Sequence, residues 1–558
     1  MSDLHIRQIK ASLDKTFRKL IDVTDLASKP DPERESAFLS RSLAALGLAH
    51  LANISAEDAS AAVTDGYGDN GLDAVYYHPG EKVLYLLQSK WHHDGGGSID
   101  RGEILKFIKG FKDLINARWD QFPDRLTKRA AAIESALNDA STKIILVAIH
   151  TGQAGLSTEV KSDLKDALDE ANNPTEIVSS QALRQVDVYS IISQGLGGPP
   201  IDLEVVLYDW GQVRDPYQGF YGQVAASDVA QWLTKHQNRL FAPNLRVFLG
   251  VTQVNSSMVE TLTNQPENFW YFNNGVTALC RSVSKKPLGG NTRETGYFEC
   301  SDLRIVNGAQ TVGAISDAAA KDPTKVGRAR VGLRLISLEQ CPPGFDKEVT
   351  KYNNSQNRIE RRDFVALDPE QQRIASELIN EGVEYLYKSG ETLTARDTGF
   401  DIVDATVALA CYQRDVSFAV GAKAEIGSLW GDIEKAPYKV LFNASVPGPT
   451  IWRLVQIARA VESELAQIKS RSDGRRRLLA VHGNRFLIHL VMQSLKPEAV
   501  RKPGKLDSTE ASTLKEATGK AFLHVNTIVN SKYPDAYLAN LFKNVEKCKI
   551  VEGAFKWA

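Results

Sequence analysis

The stretch that decides the fold is DNGLDAVYYHPGEKVLYLLQSKW, residues 69–91. The tetrapeptide Pro79-Gly80-Glu81-Lys82 separates two β-prone runs, Leu72–Tyr77 and Val83–Gln88. Turn residues between two such runs predict a β-hairpin, and Gly80 can supply a positive φ at its bend. Both faces of the hairpin are apolar, which indicates strands covered by helices on both sides.

The register of this hairpin brings polar side chains together. A turn centred between Gly80 and Glu81 pairs Val75 with Leu86 and places Asp73 opposite Gln88. Opposed Cβ atoms lie about 4.5–5.5 Å apart, so carboxylate and amide oxygens there can hold one small cation. Lys90 shares the face of Gln88 because side chains alternate along a strand. The pattern therefore predicts a cation site with an ammonium group beside it.

A structural alternative is open for the same residues. Asp is common before a strand and Lys after one, so Asp73 and Lys90 can simply close the ends of the hairpin. The spacing D-x(14)-Q-x-K is short and degenerate when it is judged alone. Polar groups between apolar, helix-covered strands nevertheless need a reason to be there.

The order of elements around the hairpin gives the context. Apolar periodicity and turn signals predict, in chain order, a helix, the hairpin, two helices, a strand, a helix and a strand: Glu33–Leu48, Leu72–Gln88, Ile99–Phe122, Pro123–Ala140, Lys143–His150, Ser157–Ala171 and Val186–Ile192. With Gly71-Leu72-Asp73 and Gln88-Ser89-Lys90, this order resembles the restriction-endonuclease-like, PD-(D/E)xK nuclease superfamily. The resemblance implies an α/β fold in which helices flank a mixed sheet.

The resemblance also implies a chemistry. Phosphodiester hydrolysis uses a divalent ion, here Mg²⁺ or Mn²⁺, held by oxygen ligands. The expected ligands are the Asp73 carboxylate, the Gln88 amide oxygen and the Ser89 carbonyl, and Lys90 would orient the attacking water. Glutamine in the first tripeptide position is a variant of the family pattern and weakens the hold on the metal. Glu35 on the leading helix matches an acid often found there, and we prefer it to Asp69, which also fits an ordinary turn.

Composition limits the class of protein. An apolar content of 43% and a charged content of 24% are those of a globular domain protein, and 558 residues suffice for two to four domains. No run reaches the about 20 apolar residues of a membrane span, and the N-terminus lacks a signal-peptide core. Five scattered cysteines fit a reducing cytoplasm. A net charge of −1 means that nucleic-acid contacts must come from local patches.

Residues 195–200, GLGGPP, form the strongest breaker run in the chain. We predict a nuclease-like domain at 1–198, a central α+β domain at 199–400 and a mostly helical domain at 401–558. The central segment carries several motifs in order: Asn244-Leu245-Arg246, FLG at 248–250, FWYFNNG at 269–275, IVNGAQT at 305–311 and NNSQN at 353–357. Together these motifs, from about Asn238 to Val407, resemble the AIPR (abortive infection phage resistance) family.

Amide side chains in this central segment suit base edges or nucleotides as bidentate partners, and they suit loop bracing equally well. The Asn-Gly pairs at 274–275 and 307–308 predict tight turns, the first within a hairpin. The candidates for a nucleic-acid or ligand surface are polar residues that cluster with glycine: Arg246, Asn274, Asn307, Gln310, Asn353 and Gln356. A nucleotide-binding switch built from this region is a third, weaker alternative.

The sequence thus predicts a cytoplasmic, metal-dependent endonuclease that hydrolyses DNA in bacterial anti-phage defence. Its centre is Asp73, Gln88 and Lys90, assisted by Glu35. DNA is the expected substrate, with RNA left open, and we expect a phage-derived trigger, a homo-oligomer and no membrane partner. The alternative is a non-catalytic nucleic-acid-binding or sensor protein built on a decayed nuclease fold.

Overall fold

A computed structural model describes residues 2–139, 141–194, 200–236, 240–241, 253–288, 292–355, 365–388 and 391–557. The chain divides into two compact units. Unit 1 contains residues 1–48, 55–188 and 359–558, and unit 2 contains residues 49–54 and 189–358. The predicted boundaries at 198 and 400 stay predictions, although unit 1 joins the first and the third predicted segments.

The first part of the chain alternates helices with the strands of a four-stranded sheet. In chain order these elements are α1 (Ser2–Phe17), α2 (Asp31–Ala52), α3 (Ala56–Ala61), β1 (Ala74–His78), β2 (Val83–Lys90), α4 (Arg101–Ile115), α5 (Asp124–Thr127), α6 (Ala130–Asn138), β3 (Lys143–His150), α7 (Thr158–Ala171), β4 (Val178–Leu183) and α8 (Gln185–Gln194). The predicted mixed sheet with flanking helices is present.

The sheet runs in the order β1-β2-β3-β4. β1 is antiparallel to β2, whereas β2, β3 and β4 are parallel to one another. β2 and β3 are buried along almost their whole length, as expected for strands that helices cover on both faces. α2 buries Leu39, Leu43 and Leu46 at helical spacing. The last residues of β2 and β3 lie at the sheet edge where β1 begins, so Lys90 and His150 lie side by side there.

One predicted strand of this region is wrong. Residues 186–192 belong to helix α8, and the fourth strand is the more polar segment Val178–Leu183. Val188 and Ile191 are buried three positions apart, which is the spacing of one helix face rather than of a strand. The backbone N–H of Arg184 donates to the Asp187 carboxylate at 3.0 Å and fastens the start of the helix.

Unit 2 is built on a seven-stranded sheet in the order β10-β7-β11-β6-β5-β9-β8. Its elements in chain order are β5 (Leu203–Val213), β6 (Gly219–Ala225), α9 (Ala226–His236), α10 (Gln253–Asn264), α11 (Phe269–Phe272), β7 (Val276–Cys280), β8 (Ser282–Lys285), β9 (Thr295–Ser301), β10 (Arg304–Asn307), α12 (Ala309–Lys321), α13 (Pro323–Val326), β11 (Arg330–Ser337) and α14 (Phe345–Ser355). The buried apolar residues of unit 2 form a separate hydrophobic core against this sheet.

The predicted hairpin around Asn274-Gly275 is also wrong. Residues 269–272 form a single helical turn, and only the segment after Gly275 is a strand. Phe269 is the one buried side chain of that turn, so the run does not alternate as a strand would. At the second Asn-Gly pair, Gly308 has a φ of 94° and caps the start of α12, so this pair joins a strand to a helix.

The last third of the described chain is helical, as predicted. Its elements are α15 (Pro369–Ile379), β12 (Glu384–Leu386), β13 (Gly399–Asp401), α16 (Ile402–Tyr412), α17 (Val416–Ala424), α18 (Tyr438–Leu441), α19 (Gly448–Ser470), α20 (Gly474–His482), α21 (Asn484–Gln493), α22 (Pro497–Arg501), α23 (Ser508–Lys532), α24 (Leu538–Leu541) and α25 (Val545–Ala554). None of the helices in the described ranges has the length and the apolar stretch that a membrane span requires.

These helices share one continuous hydrophobic core with the N-terminal sheet. Polar contacts reinforce the junction. The side-chain amide of Asn540 donates to the carbonyls of Ala171 at 2.6 Å and Thr175 at 2.7 Å. His482 is completely buried, and its Nε2 lies 2.8 Å from the Leu137 carbonyl at the end of α6. Unit 1 is therefore assembled from both ends of the chain.

His482 predicts a pH dependence of stability. Burial lowers the pKa of His482 to about 3, against about 6.5 in the unfolded chain. As pH falls below 6.5, only the unfolded state gains this proton, so stability is lost with acidification. Between pH 7 and pH 5 the loss is about 2 kcal/mol in the free energy of unfolding. Urea unfolding at both pH values should show this loss, and His482→Gln should remove it. Parallel pH profiles for the two proteins would contradict the assignment.

Candidate functional site

The hairpin has the predicted register. Val75 pairs with Leu86 and Ala74 with Leu87, so Asp73 stands where the next pair would involve Gln88. The turn differs in one detail, because Lys82, not Gly80, has the positive φ, at 54°. The backbone N–H of Glu81 donates to His78 Nδ1 at 3.1 Å and closes the turn.

Asp73 is buried immediately before β1, and its carboxylate oxygen Oδ2 accepts several hydrogen bonds from the end of β2. Oδ2 accepts from the Ser89 backbone N–H at 2.6 Å, from the Ser89 hydroxyl at 3.0 Å and from the Gln88 amide at 3.1 Å. The Asp73 backbone N–H donates to the Leu87 carbonyl at 2.8 Å. These bonds fix the carboxylate at the sheet edge with little rotational freedom.

Two further carboxylates approach Asp73. Asp65 and Asp69 come from the loop before β1, and one oxygen of each of the three acids lies within 4.8 Å of the others. Burial raises the pKa of Asp73 well above its ordinary range, and the charges of Asp65 and Asp69 raise it further. Burial also raises the pKa of Asp65. Three such acids need protons or a cation to stay together.

Two cationic side chains hold the outside of this cluster. Arg41 of α2 donates from Nε to Asp65 Oδ2 at 2.8 Å and makes a two-pronged contact with Asp25. Lys106 of α4 lies 2.6 Å from Asp69 Oδ1. Asp73, the innermost acid, has no ion pair with a basic group in the described ranges. Asp65 and Asp69 therefore have basic partners, whereas Asp73 has none among the described residues.

Gln88 completes the donor set. Its side-chain oxygen is buried and has no hydrogen-bond partner among the residues that the structure describes. Rotating the amide by about 180° exchanges its nitrogen and oxygen, and the oxygen would then lie near Asp73. The observed 3.1 Å separation matches the spacing of about 3 Å between adjacent oxygen ligands of one Mg²⁺. The three acids and this amide therefore fit a hard divalent cation.

Lys90 lies on the same strand face as Gln88, two residues further on. Its ammonium group pairs with Glu103 in the first turn of α4, and the other Glu103 oxygen is buried without a partner in the described part of the chain. His150 pairs with Lys90 across the parallel strands. Burial lowers the pKa of His150 to about 4, which leaves a neutral imidazole near pH 7. Lys90 thus has an acid and an imidazole as neighbours.

The two remaining predicted members lie differently. Glu35 forms ion pairs with Lys10 of α1 at 3.0 Å and with Arg18, the residue after α1, at 2.9 Å, and it is not part of the group formed by Asp65, Asp69 and Asp73. The structure brings Asp69 to Asp73 where the sequence favoured Glu35. The Ser89 carbonyl accepts from the Ser40 hydroxyl at 3.3 Å. Its predicted role as a metal ligand is untested.

The candidates in the central segment separate into three groups. Asn307 and Asn353 meet, since the Asn307 amide donates to the Asn353 carbonyl at 2.7 Å. Asn274 is exposed, and Gln310 is half-buried in the first turn of α12. Arg246 and Gln356 lie outside the described residues.

The neighbouring Asn273 braces the loop. It accepts from the Gly275 N–H at 2.8 Å and bonds Thr311 at 3.2 Å.

Sequence reasoning missed Asp65, Glu103 and His150. The spacing Asp65, Asp69, Asp73, one acid every four residues across a glycine-rich loop, was a usable signal for the first. Glu103 and His150 are remote in sequence from the hairpin and reach it only through the packing of α4 and β3. No local pattern marks them.

Fold and site define a mixed α/β protein with buried acids, an amide and a lysine gathered at one sheet edge. Residues 241–417 match the family model of the AIPR proteins, which confirms the resemblance predicted for that part of the chain. The comparisons with curated proteins and with solved structures found no match.

The acid cluster predicts a measurable response to divalent cations. A cation present at ten times its dissociation constant should stabilise the wild-type protein by about 1.4 kcal/mol, or ~1–2 °C in melting temperature. Asp73→Asn should abolish the shift produced by MgCl₂ or MnCl₂ in differential scanning fluorimetry. Asp120→Asn, which removes an exposed acid elsewhere in unit 1, is the control and should keep it. Equal shifts in all three proteins, or none in the wild type, would contradict a cation site.

Proposed function

We propose that the protein is a metal-dependent endonuclease that hydrolyses DNA phosphodiesters in anti-phage defence. The observation that carries this proposal is the gathering of Asp69, Asp73, Gln88 and Lys90 at one edge of a mixed, helix-covered sheet. That arrangement supports the restriction-endonuclease-like reading of unit 1. The match of residues 241–417 to the AIPR proteins supports the defence role.

Asp69, Asp73 and Gln88 would hold Mg²⁺ or Mn²⁺, because their oxygens are the ligand type that these ions prefer. The bound ion supplies charge neutralisation at the scissile phosphate and a water that ionises near neutral pH. Lys106 and Arg41 hold the carboxylates of Asp69 and Asp65 in position. Asp73 is buried and has no basic partner in the described ranges, so its oxygens are left to bind a cation in place of a proton.

The reaction itself needs few protein groups. The water oxygen forms a bond to phosphorus, the bond from phosphorus to the sugar oxygen breaks, and that oxygen takes up a proton. Lys90 would place its ammonium charge beside the phosphate and orient the water. Glu103 pairs with Lys90, and its carboxylate can accept a proton from the Lys90 ammonium as the lysine takes up the proton that the attacking water loses. DNA as substrate, a homo-oligomeric assembly, a phage-derived trigger and a cytoplasmic location belong to the same proposal.

A second function is favoured by a specific observation. The Lys90 ammonium is already paired with Glu103, and Gln88 stands where a carboxylate would bind metal more strongly. Both features suit a protein that binds nucleic acid as a sensor and no longer cuts it. Metal-independent binding without cleavage of any DNA or RNA substrate would favour this alternative.

Nicking of supercoiled plasmid by the purified protein tests the first proposal. With MgCl₂ or MnCl₂ the wild type should convert supercoiled to open-circular DNA, and EDTA should stop it. Lys90→Ala should slow the reaction at least ~100-fold, because charge at the phosphate and water orientation are lost together. Its melting temperature should stay near that of the wild type, since Lys90 is 40% exposed.

Lys112→Ala is the matched control. Lys112 is a surface lysine of α4 that pairs with Glu170, so its loss should leave nicking unchanged. Nicking by Lys90→Ala at the wild-type rate would point to a contaminating nuclease and overturn the assignment.

Gln88→Glu makes a distinct prediction. A carboxylate at this position adds a charged ligand, so the Mg²⁺ concentration needed for half-maximal nicking should fall while the maximal rate is kept. The metal-free variant should melt below the wild type, because a fourth acid joins three buried ones. A higher metal requirement would show that Gln88 does not face the ion.

A further inference from the structure

In the seven-stranded sheet of unit 2, the two faces of the central strand β11 differ in burial. Val331, Leu333 and Leu335 of β11 are buried in the core on one side. Arg330, Gly332 and Arg334 alternate with them and lie on the other side, where Arg334 is exposed. Residues paired across strands share a face, so Tyr221 of β6 stands beside Arg334.

Aromatic rings lie on the same face of the sheet as Arg330, Gly332 and Arg334. Tyr221 is 49% exposed, and its ring lies against Gly211 of β5, where a side chain would collide with it. Trp270 is 43% exposed and lies next to Gly332, since its Nε1 is 3.8 Å from where a Cβ of residue 332 would be. Gly211 therefore makes room for the Tyr221 ring, and the absent side chain of Gly332 leaves a slot beside Trp270. We call Tyr208, Tyr221, Trp270, Arg330, Gly332 and Arg334 the platform.

The two arginines of the platform are oriented but have no acidic partner among the described residues. The Arg330 guanidinium carbon lies 4.6 Å from the centre of the Tyr208 ring. Arg334 donates to Thr277 at 3.1 Å and to Asn353 at 2.8 Å. Cations held beside exposed rings without a carboxylate are suited to phosphate groups that follow stacked bases.

A pocket of about 340 Å³ continues the platform at one end. Its walls are mostly apolar and include Tyr217, Tyr221, Ile336 and Phe345, and Arg334 also lines it. The rings of Tyr217 and Phe345 are 4.7 Å apart at centre, so they form one aromatic wall. Volume and lining fit a planar group of the size of a nucleobase.

We propose that the platform binds single-stranded nucleic acid, with bases stacked on Trp270 and Tyr221 and phosphates near Arg330 and Arg334. Bases are available for stacking only when they are released from a duplex, so the surface selects single strands. Asp209 is an acid at the margin of the face, where it accepts from Gln223 at 3.3 Å. This binding does not depend on the nuclease proposed for unit 1.

The test measures binding without cutting. Full-length Lys90→Ala protein in EDTA is titrated against labelled oligothymidine, oligouridine and a DNA hairpin duplex of about twelve nucleotides per strand, with fluorescence anisotropy as readout. Single strands should bind more tightly than the duplex, and the two homopolymers show whether DNA or RNA is preferred. Trp270→Leu or Tyr221→Leu should weaken single-strand binding at least ~10-fold by removing a stacking face. Arg330→Gln should reduce the dependence of affinity on salt by about one phosphate contact.

Gly332→Val tests the same surface without removing a contact. The nearest atoms to the new Cβ are at 3.8 Å and 3.9 Å, and valine suits an extended strand, so the fold should be kept while the slot beside Trp270 is filled. This variant too should lose at least ~10-fold in single-strand affinity.

Two substitutions serve as controls. Trp557→Leu removes a ring that is 40% exposed in unit 1, and Arg304→Gln removes a cation of the same sheet that pairs with Asp302. Both should bind like the parent protein. The proposal fails if no oligonucleotide binds more tightly than about 100 µM, if the platform variants bind like the controls, or if duplex and single strand bind equally. A protein or peptide ligand would then be the better account of the surface.

Discussion

Three neighbouring acids repel one another in unit 1, and the structure around them must offset that repulsion. Asp65, Asp69 and Asp73 stand close enough to share one ion, and Asp73 is sealed by the end of a hairpin. Arg41 from one covering helix and Lys106 from the other each take one outer acid. Both helices are thereby oriented toward the same sheet edge. The carboxylate of Asp73 is then left to bind either a cation or a proton.

The sequence was most informative where local chemistry decides the structure. The turn at 79–82 fixes the pairing of Val75 with Leu86 by geometry alone, and that pairing carries Asp73 to Gln88. It was less informative where an acid can have several partners. Glu35 has helical spacing from the core-facing residues of α2, yet the cations Lys10 and Arg18 determine where its side chain points. Such choices depend on the tertiary neighbours, which periodicity does not describe.

The same limit explains the errors of secondary structure. Residues 186–192 are rich in β-branched side chains, but Val188 and Ile191 find their core contacts as one side of a helix. The FWYF run looks like a strand because aromatic residues favour sheets, whereas three of its four rings are on the surface. Rings exposed beside arginines that have no acidic partner among the described residues are the opposite of what a hydrophobic pattern predicts. The folded sheet brings Gly332 next to the Trp270 ring and Arg334 next to Tyr221, and the sequence alone does not show either contact.

The shared core of unit 1 has a consequence for biosynthesis. Residues 1–48 and 55–188 form one unit with residues 359–558, and most of unit 2, residues 189–358, is translated between them. Ribosomes release the N-terminal sheet first, then the middle unit, which can fold from contiguous chain, and only at the end the helices that complete the first unit. An interrupted translation product therefore carries the N-terminal sheet without the helices that complete its hydrophobic core.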